Sequence, residues 1–407
     1  MQTRLAPQYQ SNPLAQEAET ILRSCVHCGF CNATCPTYQV LGDELDGPRG
    51  RIYLLKELLA GATAAESTRL HLDRCLSCRA CETTCPSGVR YARLLEIGRH
   101  LQNAALPRAP GEELRRRAIR AIIGQPRRLR PLLALAQTLR PVLRAPIARH
   151  IPVPAPVRSP YPVTTPQRGK VLALAGCVQS VATPQTEAAL QKILAHLGYT
   201  LLRGEGCCGA LSLHLDAWEE AHEQIRRNID AWWPVVTAGV DAILVSASGC
   251  GSVVKDYGDI LRDDPQYAAK AARIAALAKD PSEWLQAHRE ALPMATEERA
   301  RIAFHAPCSL QHGQRIQGVA EAILQGLGYR LLPVTDAHLC CGSAGSYSLL
   351  QPQMAEELRR RKLENLEAEQ PQWIATANVG CQLFLNQAAQ VPVRHWLELV
   401  AEALPEA

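Results

Sequence analysis

Cysteine spacing constrains this chain more than any other feature. Cys25, Cys28, Cys31 and Cys35 in "CVHCGFCNATCP" follow C-x2-C-x2-C-x3-C-P, and Cys75, Cys78, Cys81 and Cys85 in "CLSCRACETTCP" repeat it. Two-residue gaps wrap the backbone around one compact core so that three thiolates converge on it, while the fourth cysteine points away toward a second core. The spacing therefore predicts two [4Fe–4S] clusters with exchanged ligands. Cys25, Cys28, Cys31 and Cys85 hold the first, and Cys75, Cys78, Cys81 and Cys35 the second. Structural zinc sites use two C-x2-C pairs and have no use for a third cysteine at the same interval. Clusters crosslinked in this way lie close together, a layout for passing single electrons. Pro36 and Pro86 are expected to break a helix after each run. His27 and Arg79 stand between cysteines, where they tune a cluster through hydrogen bonds or charge, or simply face solvent. "GDELDGPRGR" (42–51) reads as a turn and a helix start, and not as a phosphate loop, because no Lys-Ser/Thr follows.

Eight further cysteines lie in a duplicated half. "KVLALAGCVQS" (170–180) matches "RIAFHAPCSLQ" (301–311), "GCCGA" (206–210) matches "LCCGS" (339–343), and "AILVSASGC" (242–250) matches "WIATANVGC" (373–381). The offset is about 130 residues at every anchor, which marks an internal duplication. Within each copy short apolar strands alternate with helical patterns, which argues for βαβ units and a parallel sheet. The cysteines follow the strands, where open α/β sheets place ligands. Cys177, Cys207, Cys208 and Cys250 belong to the first copy, and Cys308, Cys340, Cys341 and Cys381 to the second. Four thiolates per copy could hold zinc or an iron–sulfur cluster, separately or as one shared site. The other reading is reduced cysteines at a buried repeat interface. The fold class expected is α+β and multidomain: an α-helical ferredoxin-like domain (1–107), an Arg-rich helical segment with a Pro-rich linker (108–168), and two α/β cysteine-rich repeats (169–290 and 291–407).

Sixteen cysteines in a 407-residue chain that opens with no secretory or twin-arginine pattern point to metal or redox chemistry in the cytoplasm rather than to disulfides. A formal charge of +5 is too small to argue for nucleic acid, and no nucleic-acid signature is present. No run of 18 apolar residues offers a membrane span. Residues 106–150 carry eleven arginines against Glu112 and Glu113, and "PVPAPVRSPYPVTTP" (152–166) carries six prolines and reads as a stiff linker. Within the basic segment, 112–123 reads as an amphipathic helix. Leu114, Ala118, Ala121 and Ile122 share one face and Arg115, Arg116 and Arg120 gather near the other, a pattern suited to an anionic membrane surface or to a docked partner.

The double ferredoxin run followed by two CCG repeats resembles the iron–sulfur subunits of membrane-associated flavin dehydrogenases, among them those of glycolate oxidase (glycolate dehydrogenase). The resemblance covers nearly the whole chain. It rests on "CVHCGFCNATCPTYQVLGDELDGPRGRIYLLKELL", "NIDAWWP", "SGCGSVVKDYG", "HLCCGSAGSYSLL" and "VRHWLELV". It implies an oxidoreductase complex in which an FAD-containing subunit, with a second flavoprotein-like subunit, oxidises glycolate to glyoxylate. This chain, not catalytic alone, would pass the electrons toward the quinone pool from a peripheral position on the cytoplasmic side of the inner membrane. The corresponding subunit of a glycerol-3-phosphate or lactate dehydrogenase is the alternative, and a non-catalytic scaffold with structural clusters is the reading from another class. The family's fuller CCG motif ends in CxxC. Here Val253 and Phe384 occupy that last position, one ligand per motif fewer than the heterodisulfide type of cluster uses. The chain itself shows no dinucleotide or flavin motif and no group placed to take hydride from a hydroxy acid.

Overall fold

The computed structural model describes residues 1–144, 148, 149, 151–153, 168–295 and 297–405. The proline-rich stretch 152–166 falls, from residue 154 on, outside the described residues. The chain divides into two compact units: Met1–Arg117 with the short segments Leu213–Asp216 and His338–Lys362, and the remainder.

The first unit is helical. Three of its helices start where proline replaces an N–H that has no helical partner. Pro13, Pro36 and Pro48 each occupy the first position of one, over Pro13–Ser24, Pro36–Leu41 and Pro48–Leu59. Pro36 thus opens a helix beside Cys35. The Asn12 side chain caps the first helix by accepting from the Leu14 and Ala15 amides at 2.9 and 3.2 Å. Apolar residues at helical spacing bury Leu22, Leu55, Leu94, Leu95 and Ile97 where Pro13–Ser24, Pro48–Leu59 and Tyr91–Ala105 pack together. Gly98 permits the closest of these approaches, since a Cβ there would lie 2.2 Å from a Leu55 methyl.

The second unit holds two four-stranded sheets of the same topology. In the first repeat, β1 (Gly169–Leu174), β2 (Tyr199–Gly204), β3 (Ala242–Leu244) and β4 (Ala278–Lys279) order as β2-β1-β3-β4. In the second, β5 (Arg301–His305), β6 (Arg330–Leu332), β7 (Trp373–Thr376) and β8 (Val393–His395) order as β6-β5-β7-β8. Every pairing is parallel, as alternating strands and helices require. Central strands read as continuous apolar runs because both faces are covered: Val171, Leu172, Ile243 and Leu244, then Ile302, Ala303, Ile374 and Ala375, are all buried.

The repeats join through helices exchanged in a two-fold manner. Pro184–His196 of the first packs on Trp396–Ala403 of the second, and Pro281–Ala287 packs on Val319–Gly326. Leu190, Ile193, Leu194, Trp284 and Leu285 thereby share one core with Ile323, Leu324, Trp396, Leu397 and Val400. Lys192 Nζ donates to the Ala401 carbonyl at 2.8 Å, and the Tyr329 hydroxyl donates to the Leu399 carbonyl at 3.0 Å.

The Arg-rich segment forms two helices, Pro110–Ile123 and Pro126–Leu139. In the first, the arginine face expected to turn outward does so only in part, with Arg115 exposed. Arg116 and Arg120 are buried, while Leu114, Ala118 and Ile122 are exposed. Arg116 bonds Asp73 and Glu112 at 3.0 Å each, and Arg120 pairs with Glu220 at 2.9 Å. Ion pairs to partly exposed carboxylates hold these two guanidiniums. The second helix buries nothing: Leu132, Leu135 and Leu139 lie exposed along it, with Val142 beyond its end. No helix among the described residues is long and apolar enough to cross a membrane.

Candidate metal centres

The two ferredoxin runs wrap by the same backbone device. His27 and Gly29 flank Cys28, and Ser77 and Arg79 flank Cys78; all four have positive φ, at 60°, 86°, 53° and 61°. Left-handed residues on both sides of the middle cysteine turn successive Cα–Cβ bonds toward one centre. His27 and Arg79 therefore hold strained turn positions in addition to any influence of their side chains.

The sulfurs fall into two groups. Cys25, Cys28, Cys31 and Cys85 line one cavity, together with Val26, Phe30, Pro86 and Cys81. Cys35, Cys75, Cys78 and Cys81 line a second with Arg51 and Tyr91. Each set draws three cysteines from one run and one from the other. Burial first, and then the sulfurs of Cys25, Cys28 and Cys85, push the Cys31 thiol up to about 11. Burial and the sulfurs of Cys78, Cys75 and Cys35 push Cys81 well above its ordinary value. A metal core takes thiols as thiolates and so relieves the opposition that Cys31 and Cys81 meet from their neighbours. The donor sets fit [4Fe–4S] clusters in number and in kind.

The surroundings of the two sets differ. Cys28 is exposed, and Val26 and Phe30 beside it are 68% and 62% exposed. The second set lies against a buried polar network that sequence reasoning passed over. Arg51, wholly buried, directs Nη1 at Cys35 Sγ (3.9 Å), Nε at the His71 carbonyl (2.7 Å) and Nη2 at Thr37 Oγ1 (3.1 Å). Buried Asp46 takes Arg51 at 3.4 Å, Arg74 at 2.8 Å and His71 at 3.1 Å. Burial pulls the Arg51 pKa down, but the sulfurs of Cys75 and Cys35, the Tyr91 phenol and Asp46 hold it above the ordinary value. The Tyr91 hydroxyl points at Cys75 Sγ (3.7 Å), and the Ser77 amide donates to the same sulfur at 3.5 Å. Arg99 clamps the carbonyls of Leu72 and Cys75 at 2.7 and 2.9 Å. The Tyr347 hydroxyl donates to the Arg74 carbonyl at 3.0 Å. The one sequence signal for this network was "PRGR", read as a helix start.

The cysteines of the first CCG repeat gather at the carboxyl ends of β1, β2 and β3. The Cys177 and Cys208 thiols, directed at Cys207, pull its pKa below the ordinary value against the cost of burial. The interaction with Cys207 in turn raises Cys208 and Cys177, and burial and Cys250 add to both shifts. Asn228 Nδ2 donates to the Cys207 carbonyl at 2.8 Å, and the fully buried Tyr257 hydroxyl donates to the Cys208 carbonyl at 3.1 Å. Gly206 is required here, because a Cβ would lie 2.0 Å from Asn228 Oδ1 at a φ of 149°. Neither Asn228 nor Tyr257 belongs to the cysteine pattern, and "NIDAWWP" and "KDYG" mark them only in retrospect.

In the second repeat, Cys308 and Cys381 lie in the second unit, after β5 and β7, whereas Cys340 and Cys341 lie in the segment that clusters with the first unit. Asn378 Nδ2 donates to Cys381 Sγ at 3.4 Å. His305 replaces the Leu174 of the first copy, bonds Thr376 Oγ1 at 3.0 Å through Nδ1, and places a ring nitrogen within 4.8 Å of Cys381 Sγ. The turns of the two copies are laced together. The Ser248 amide donates to the Ala377 carbonyl at 3.1 Å, the Gly249 amide to Asn378 Oδ1 at 3.2 Å, and the Ser248 and Ser309 hydroxyls meet at 2.8 Å.

A 4Fe-4S dicluster domain model matches residues 21–89. A cysteine-rich domain model matches twice, at 171–255 and 302–386. The chain is 47% identical, over 99% of both sequences, to the glycolate oxidase iron-sulfur subunit of Escherichia coli (strain K12). It is 29% identical, over 94% of both, to the probable glycolate oxidase iron-sulfur subunit of Bacillus subtilis (strain 168). Lactate utilization protein A of Geobacillus kaustophilus (strain HTA426) aligns with only 53% of this chain, and 89% of its own length, at 25% identity. Twice four cysteines in a dicluster domain ahead of a duplicated cysteine-rich domain, matched end to end at that identity, place the chain in the glycolate oxidase iron–sulfur subunit family.

Proposed function

We propose that this chain carries electrons for a glycolate-oxidising complex. An FAD-containing partner, with a second flavoprotein-like subunit, converts glycolate to glyoxylate, and the electrons leave one at a time through this chain toward a quinone. Cys25, Cys28, Cys31 and Cys85 hold one [4Fe–4S] cluster, and Cys75, Cys78, Cys81 and Cys35 the other; bound there, the clusters supply one-electron redox chemistry. The observation that carries the reading is the exchange of one cysteine between two sulfur sets in a single helical unit. Such an exchange brings two redox centres side by side without adding a substrate pocket. Cys177, Cys207, Cys208 and Cys250, and Cys308, Cys340, Cys341 and Cys381, are read as ligands of further metal in the CCG repeats. Residues 1–107, 108–168, 169–290 and 291–407 are read as the domains that carry these parts. The chain works on the cytoplasmic side of the inner membrane as a peripheral protein. Its surface contact is the helix Pro126–Leu139, whose leucines are exposed, rather than 112–123, whose arginines are engaged.

The test is reduction of the complete complex by glycolate under anaerobic conditions. The two clusters should become reduced reversibly. Cys25→Ser or Cys81→Ser should each remove one cluster, about half the iron of the ferredoxin unit, and halt quinone reduction while flavin reduction in the partner continues. Clusters that glycolate never reduces would make this chain a scaffold. A Cys25→Ser variant with full iron and full quinone reduction would overturn the ligand sets.

A further inference from the structure

The two sulfur sets are chemically unequal, and Arg51 is the centre of the inequality. It is a buried permanent cation whose side chain reaches Cys35, the one cysteine that crosses from the first run to the second set. Asp46 balances one positive charge, yet both Arg51 and Arg74 pair with it, and Arg99 adds a third guanidinium at the Leu72 and Cys75 carbonyls. Glu82, beside Cys81, returns one negative charge and donates nothing to sulfur; its carboxylate accepts from the Ala92 amide at 2.7 Å. The Tyr91 hydroxyl and the Ser77 amide are directed at Cys75 Sγ. Of the cations at the first set, Arg49 is half-exposed and compensated by Glu44 at 2.6 Å, and the Met1 ammonium donates to the Cys25 carbonyl at 2.6 Å; neither donates to a sulfur.

An added electron makes an iron–sulfur cluster more negative. Buried positive charge and hydrogen bonds to its sulfurs therefore stabilise the reduced form and raise its potential, and burial keeps that interaction from being screened.

We infer that Arg51, assisted by Tyr91, is a tuning residue that sets the cluster of Cys75, Cys78, Cys81 and Cys35 at a higher reduction potential than the cluster of Cys25, Cys28, Cys31 and Cys85. The first set, where Cys28 is exposed, is then the point of electron exchange with another protein, and the second set, where Cys35 and Cys81 are buried and Cys75 and Cys78 half-buried, is where an electron rests. Each electron that crosses reoxidises the first cluster by one and reduces the second by one. Its source is the flavin that has taken two electrons from the partner's substrate. The inference rests on the ligand sets proposed above.

The experiment is a redox titration of the complete protein, followed by electron paramagnetic resonance, on wild type, Arg51→Lys, Tyr91→Phe and Cys28→Ser. Cys28→Ser identifies the signal of the first cluster. Wild type should show two midpoints, the higher belonging to the signal that Cys28→Ser leaves alone. Tyr91→Phe removes only an O–H group and should lower that midpoint alone. Arg51→Lys withdraws the planar cation from Cys35 and should lower it further, by about tenfold in the reduction equilibrium, or ~59 mV for one electron. If Arg51→Lys fails to assemble the cluster, Tyr91→Phe decides. Unmoved midpoints in variants with full iron, or a higher midpoint on the first cluster, would overturn the inference. Cys35→Ser and Cys75→Ser altering different signals would overturn the ligand sets instead.

Discussion

Gly29 lines the first cysteine cavity and Gly50 precedes Arg51, and the two tolerate a methyl group very differently. At Gly29, a Cβ would meet Arg49 Nη1 at 2.8 Å, the far end of a flexible side chain, and the cost is the left-handed φ of 86°. At Gly50, a Cβ would lie 2.1 Å from the Glu44 carbonyl oxygen and 2.7 Å from Leu45 Cα, and backbone cannot swing aside. That backbone is the turn Glu44–Asp46, which carries the carboxylate opposite Arg51. Gly29→Ala should therefore cost about 1–2 kcal/mol of stability and keep both clusters. Gly50→Ala should cost roughly 1–3 kcal/mol through overpacking and also separate Asp46 from Arg51, lowering the iron content toward that of one cluster. Thermal unfolding with iron analysis of both variants checks this. Equal, full iron loading in the two would mean that the turn does not support the second set.

The last helix of each CCG repeat begins with a buried titratable cap, and the two caps respond to pH in opposite directions. Asp280 caps Pro281–Ala287 and His395 caps Trp396–Ala403, each with a glutamate three residues on that completes a capping box. Burial pushes Asp280 up to about 6 from its ordinary 3.8, and burial pulls His395 down to about 4 from its ordinary 6.5. Folded Asp280 holds more protons than the unfolded chain between about pH 4 and 6, so its contribution to stability falls as pH rises through that window. Folded His395 holds fewer between about pH 4 and 6.5, so its contribution rises with pH there. Each shift is worth about 3 kcal/mol across its window, and in the wild type the two oppose each other. Asp280→Asn, which keeps a cap, should unmask a stability that climbs from pH 4 to 6.5; His395→Asn should unmask one that declines from pH 4 to 6. Denaturant unfolding at several pH values reads both, and parallel profiles for the two variants would refute the assignment. At this scale the sequence was legible where its signals are local. Cysteine spacing marked the residues that line the two cavities of the helical unit, and an offset of about 130 residues revealed the twin sheets. Periodicity, however, says which residues share a helix face and not which face turns inward, so Arg116 and Arg120 were expected outside although Asp73 and Glu220, distant in sequence, draw them in. Arg51 was hidden for the same reason, since its partners Asp46, His71 and Cys35 converge only in three dimensions. Residues 338–362 belong by sequence to the second repeat, yet they cluster with the first 117 residues, a relation that no local pattern carries.

For the whole molecule, the proposed delivery of electrons to a quinone calls for a surface on which lipid can act, and exposed apolar and basic side chains concentrate on one helix. Leu132, Leu135 and Leu139 recur along one stripe of Pro126–Leu139, at 48%, 57% and 45% exposure, and Val142 follows at 80%. Arg127, Arg128 and Arg130 are exposed on the same helix. Apolar side chains that find no protein core gain from the acyl boundary, and each nearby basic residue adds about 1 kcal/mol against an anionic leaflet. Changing Arg127, Arg128 and Arg130 together to Gln should therefore weaken binding to anionic vesicles by about 100-fold. It should leave iron content and flavoprotein binding unchanged. Leu132→Ser with Leu135→Ser should weaken binding to neutral and anionic vesicles alike, because it removes the term that does not depend on charge. Arg116→Gln should instead destabilise the fold, since it leaves Asp73 with one fewer partner, and should not change vesicle binding by the protein that remains folded. Sedimentation with vesicles of phosphatidylcholine, with and without phosphatidylglycerol, measures all of these. Wild-type protein that sediments with neither vesicle, or arginine variants that bind anionic vesicles as wild type does, would show that this helix serves a protein partner and that the membrane is reached through another subunit.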